Sequence, residues 1–104
     1  MDIQKVSMRI HEINARHGWN DITKKDWKNK YKIPTKLALI MSEVSEALEG
    51  FRNDDIGNFS EELADIVIRT LHLAYMLDIN MSGEIDDKCR INSARSLRHG
   101  GKKV

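Results

Sequence analysis

The sequence predicts an all-α fold: a four-helix core of antiparallel helices that dimerises into a larger helical bundle. Two observations carry that reading. Apolar residues recur at spacings of three and four along most of the chain, the period of a helix with one buried stripe. A single proline and six glycines in 104 residues are too few for a turn-rich β fold or a disordered chain. At this length one domain is expected, with a core of modest size.

Each element follows from its pattern. Residues 2–17 read as a helix, with Ile3, Val6, Ile10 and Ile13 on one stripe and Gly18 as its stop. The segment Trp19 to Ile33 is lysine-rich and lacks a period, so it reads as a loop with one short turn of helix between Thr23 and Asn29. Pro34 opens a second helix, since proline is tolerated in a first turn. Leu37, Ile40, Met41, Val44, Leu48 and Phe51 form its apolar side. Residues 52–58 are turn chemistry, and Asn58 with Glu61 resembles a capping box. The third helix is expected from Phe59 to Leu77. Leu63, Ile66, Val67, Leu71 and Ala74 would pack its main face, while Ile68, Leu73 and Met76 extend its apolar surface. Burial on two sides in so short a chain points to a second subunit. Asn80 to Gly83 reads as a turn and Glu84 to Leu97 as a fourth helix, thinly apolar and the least stable alone.

Charge narrows the function. The net charge of +1 conceals eight acids against one base, Arg52, between Glu43 and Asp65, and six bases without an acid between Lys88 and Lys103. An acidic centre flanked by basic segments suits a small metal-bound polyanion better than nucleic acid. No apolar run reaches membrane-spanning length, and the N-terminus is charged from its start, unlike a signal peptide. One cysteine, Cys89, has no internal partner, which fits a reducing, cytoplasmic setting.

The acids have an order. Glu43 and Glu46 sit three apart, as do Glu62 and Asp65, so each pair shares a helix face. Both pairs lie inside apolar patterns, and both are equidistant from Asp54 along the chain. In an antiparallel hairpin Glu43 would stand level with Asp65 and Glu46 with Glu62, and four carboxylates would converge. Such a cluster repels itself unless a cation sits within it. Oxygen-only ligands suit Mg²⁺, with Mn²⁺ as the alternative ion. The absence of any Glu-x-x-His pair disfavours a di-iron carboxylate site. The competing reading is a solvated acidic face paired with lysines.

A second constellation lies near the C-terminus, where Lys88, Asn92, Arg95 and His99 share one face if the fourth helix extends that far. These groups suit phosphate oxygens and sugar hydroxyls, or else form a plain basic surface. Other residues stay open between two roles. Arg69 either orients a carboxylate or forms a simple salt bridge. His11 and His72 suit packing or surface positions better than ligation. Trp19 and Trp27 suit either base stacking or anchoring of the loop. There is no P-loop, glycine-rich dinucleotide motif or zinc-ligand spacing.

With these residues assembled, nearly the whole chain resembles the MazG-like all-α nucleoside triphosphate pyrophosphohydrolases. The likeness rests on Glu43-x-x-Glu46, on Glu62-x-x-Asp65 within EELADIVIR, and on the end KCRINSARSLRHGGK. A first helix ending in Gly18-Trp19 is also similar. The resemblance implies a homodimer or homotetramer that hydrolyses a nucleoside triphosphate between its α and β phosphates, giving monophosphate and pyrophosphate. It implies that Glu43, Glu46, Glu62 and Asp65 bind Mg²⁺. Lys88, Asn92 and Arg95 would meet phosphates and sugar, and Lys102 would close over them. Glu46 is the candidate for activating the attacking water. The alternative is a non-catalytic helical module on the same scaffold, binding nucleotide or a protein partner.

Overall fold

A computed structural model describes residues 2–95, and these are helical with no strand among them. Four α-helices, α1 (Ile3–Ala15), α2 (Lys32–Arg52), α3 (Ile56–Met76) and α4 (Met81–Ala94), are joined by short links and one longer segment carrying a 3-10 helix, Lys24–Lys28.

Capping explains where α1, α3, α4 and the 3-10 helix start, while α2 has no side-chain cap. Asp2 accepts from the Gln4 and Lys5 amides and opens α1. Gly18, at φ +69, ends that region in a left-handed conformation that costs glycine little. The short helical turn expected between Thr23 and Asn29 is the 3-10 helix, closed by a reciprocal capping box of Thr23 and Asp26. Pro34 falls within the first turn of α2, which begins two residues before it.

Two helix starts differ from the sequence reading. Asp55, not Asn58, caps α3 by accepting from the Asn58 amide at 3.0 Å, so α3 begins at Ile56 rather than Phe59. Asn80, read as the first residue of a turn, caps α4 at the Gly83 amide, so α4 begins at Met81 rather than Glu84. In both cases a short polar side chain ends a turn and starts a helix at one position. The helix also ends at Ala94 rather than Leu97, with Arg95 already extended (φ −74, ψ 152).

The core lies where the long segment meets α2 and α3. Ile22, Ile33, Leu73 and Met76 are buried together, with Ile40 and Leu77 packed against them. Ile22, at 4% exposure, is the loop's anchor, while Trp19 and Trp27 are 55% and 69% exposed and anchor nothing. Asn20 adds a polar tie. Its amide donates to the His11 carbonyl at 3.0 Å, and its oxygen accepts from His72 Nε2 at 2.7 Å, joining the loop to α1 and α3.

α2 and α3 make the most extensive helix contact, and the stripe that makes it differs from expectation. The residues of α2 buried within the chain are Ile33, Glu43, Ala47 and Gly50. The neighbouring stripe, Leu37, Met41, Val44, Leu48 and Phe51, is exposed, with Met41 and Phe51 at 71%. On α3 the half-buried line runs through Phe59, Glu62, Ile66 and Thr70, while Ile56, Leu63 and Val67 are open. At Gly50 an added Cβ would lie 3.1 Å from the Phe59 amide nitrogen, so the absent side chain is what lets the helices approach.

Candidate metal centre

The close α2–α3 contact places carboxylates where apolar side chains would otherwise meet. Ala47 and Gly50 are small, so Glu43, on the same stripe, is drawn into the interface and left 8% exposed. Oxygen atoms of Glu43, Glu62 and Asp65 lie within 4.8 Å of one another. Glu46, one turn beyond Glu43, is exposed and outside this trio, yet near enough to act on both Glu43 and Glu62.

The hydrogen bonding is uneven. Arg69 Nε donates to Glu43 Oε1 at 3.1 Å, so this arginine forms the salt bridge read as one of its two candidate roles, and it engages one of the two carboxylate oxygens. Glu43 Oε2 and Glu62 Oε2 are buried with no hydrogen-bond partner among the described residues. Buried acceptor oxygens within one acidic cluster call for a shared proton, a cation or a donating water. A proton shared with Glu43 is the largest cause that pushes Glu62 up to about 7, followed by burial and by the charge of Glu46. The same sharing, ahead of the Arg69 guanidinium, holds Glu43 below its usual value.

The cluster opens onto a cavity of about 320 Å³ between α1, α2 and α3. Asp65 and Arg69 form its wall on the acidic side, and Asn14, Trp19, Lys36 and His72 line the remainder together with apolar side chains of α2 and α3. Lys36 is fixed by a 3.0 Å ion pair with Asp21. Trp19 stacks on the His17 ring at 4.4 Å, presenting an indole to the cavity mouth. His72 is kept below its ordinary value by burial first and by nearby Lys36 second, so it stays neutral and its Nε2–H remains on Asn20.

No family model, curated protein or solved structure matches this chain.

The two constellations read from the sequence fare differently. Three of the four acids converge and the fourth borders them. Lys88, Asn92 and Arg95 are exposed on or just after α4, and among the described residues none of them lines the cavity. The break after Ala94 also takes Arg95 off the helical stripe. Lys102 and His99 lie outside the described residues. Sequence reasoning missed Asn14 and Lys36. Asn14 carried a signal: it lies four residues after Ile10 on the buried face of α1, where Ser7 is also buried. A polar group on an apolar stripe marks a place where the stripe borders something other than core.

The donor set fits a hard divalent ion. It is all oxygen, drawn from two helices, with one member nine-tenths buried and two buried oxygens lacking partners. Glu43, Glu62 and Asp65 would hold such an ion, with Glu46 at its open side.

Proposed function

We propose that this chain is a MazG-like nucleoside triphosphate pyrophosphohydrolase that requires Mg²⁺, with Mn²⁺ as a substitute, and works as a cytoplasmic homodimer or homotetramer. The observation that carries this reading is the buried, partnerless Oε2 of Glu43 in a cluster with Asp65 and with Glu62, whose own Oε2 is equally partnerless among the described residues. An isolated acidic face would leave these oxygens in water.

Bound Mg²⁺ would neutralise triphosphate oxygens and acidify a water molecule. The chain's own groups account for the rest. Glu43, Glu62 and Asp65 hold the metal from α2 and α3, taken as an antiparallel pair. Glu46, exposed at the edge of the trio, accepts the proton of the attacking water. The water oxygen bonds to the α-phosphorus, the bond from that phosphorus to the α–β bridging oxygen breaks, and pyrophosphate leaves with the pair of electrons. The cavity between α1, α2 and α3 is large enough to receive part of a nucleoside, and the exposed indole of Trp19 offers it a stacking surface. Lys88, Asn92, Arg95 and Lys102 are assigned to phosphates and sugar by resemblance alone.

The exposed stripe of α2, continued by Leu63 and Val67 on α3, supports self-association, because apolar rows of this length on facing helices favour burial against a like surface.

The test is a panel of ribo- and deoxyribonucleoside triphosphates with Mg²⁺ and with Mn²⁺, scored for pyrophosphate and orthophosphate separately. Pyrophosphate with the matching monophosphate is expected. Orthophosphate alone, or no product with any nucleotide, would sink the reading; stabilisation by nucleotide without product would leave the non-catalytic module.

A further inference from the structure

We infer that Arg69 takes the place of a second metal ion, so that the acidic cluster binds a single divalent cation per chain when no nucleotide is present. This rests on the metal-centre reading above and adds to it the ion count and the residue that sets it.

The two oxygens of Glu43 have unlike surroundings. Oε1 receives Arg69 Nε at 3.1 Å, and Oε2 is buried without a partner. Glu43 is also the one member of the trio contributed by α2, and the most buried. A pair of ions 3.5–4 Å apart is held together by carboxylates that bridge them. Within the trio Glu43 is the most buried carboxylate and the one that comes from α2, which makes it the best placed to bridge two ions. With Oε1 committed to a guanidinium, Glu43 offers one oxygen and serves one ion.

Charge points the same way. The guanidinium is positive at every accessible pH, and it lies directly against the carboxylate that a second ion would need. A dication placed there would meet that positive charge at close range. An ion held through Oε2 would take its other ligands from Glu62 and Asp65, and Arg69 could keep its place on Oε1. Arg69 is thus a positioning residue: it holds Oε1 of Glu43, leaves Oε2 for the ion, and supplies the positive charge that makes the metal-free cluster tolerable.

The experiment is titration of the purified full chain with Mn²⁺ alone, following free and bound ion by electron paramagnetic resonance. Wild type is expected to bind one ion per chain with an uncoupled spectrum. Arg69→Met should raise the count from one to two and give the exchange-coupled spectrum of neighbouring Mn²⁺ ions, while Arg69→Lys, which restores a positive charge, should keep the count at one. Two ions per wild-type chain would overturn the inference, as would an Arg69→Met protein that binds one ion as wild type does. If Arg69→Met does not fold, judged by its helical circular dichroism, the wild-type count and spectrum decide alone. A wild-type chain that binds no Mn²⁺ would overturn the metal-centre reading itself, and that result is distinct from a count of two.

Discussion

At the scale of single residues, the carboxylates are not equivalent, and the differences have measurable consequences. Glu43 is buried and central, whereas Glu46 is exposed and outside the trio. Glu43→Gln should therefore weaken Mn²⁺ binding by at least about 100-fold, more than the loss of an outer-shell group does. Glu46→Gln should lower kcat by about 10²–10⁴, as loss of a general base does, while isothermal titration shows little change in metal affinity. Equal losses of affinity in both variants would contradict this division. Glu62 gives a pH signature. The unfolded chain releases this proton near its ordinary value of 4.5, and the folded chain keeps it to about 7. The native state thus binds more protons across that window, and its stability from this group is full below 4.5 and lost as pH rises toward 7. Glu62→Gln mimics the protonated form. Without metal, its melting temperature should match wild type near pH 5 and exceed it at pH 8. A difference that stays flat or shrinks with rising pH would refute the shared proton.

At the scale of elements, the decisive contact is the one α2 makes with α3. Gly50→Ala gains about 1 kcal/mol of helix propensity. The new methyl group, however, would sit 3.1 Å from a backbone nitrogen of α3 and 3.3 Å from its Cα, neither of which is free to swing away. Overpacking of this kind costs about 1–3 kcal/mol, so the net change is expected to be destabilising and to move Glu43 relative to Glu62. Denaturant melts of the metal-free protein check the sign. The outer stripe of α2 makes a separate prediction. Val44 is half exposed in the single chain, so Val44→Asp should leave the helical content intact and convert the assembled protein to monomers, read as mass by light scattering. A wild-type chain that is already monomeric at high concentration would remove the basis for self-association.

At the scale of the whole molecule, the buried apolar cluster is small and gathers Ile22, Ile33, Leu73 and Met76, none of which belongs to the acidic stripe. The α2–α3 contact near the acids has polar and small residues at its heart, Glu43, Ala47 and Gly50. Metal binding at that contact should stabilise the entire chain, by about 2.7 kcal/mol at a concentration 100 times Kd. The melting temperature should rise with Mg²⁺ and return on chelation, with a larger rise at pH 8 than at pH 5.5 because Glu62 then has less proton to lose. A melting temperature indifferent to both Mg²⁺ and Mn²⁺ would count against the site.

Helix number, helix type and the identity of the acidic residues were legible in the sequence, because a period of 3.6 and carboxylates inside apolar runs are local signals. Start points were off by two or three residues, since Asp55 and Asn80 read equally well as turn residues and as caps. The inner stripe of α2 was misread by one position. Of the row read as the apolar side, Ile40 does pack against the core, but Leu37, Met41, Val44, Leu48 and Phe51 are exposed while Glu43, Ala47 and Gly50 are buried. Periodicity identifies a stripe by its hydrophobicity, while helix packing selects one by how closely two backbones can approach. The sequence by itself therefore determined that four acids stand in two matched pairs. Only the tertiary structure decided that Glu43 is buried, that Arg69 holds one of its oxygens, and that the other is buried without a partner among the described residues, because those facts depend on the small residues that bring α2 and α3 together.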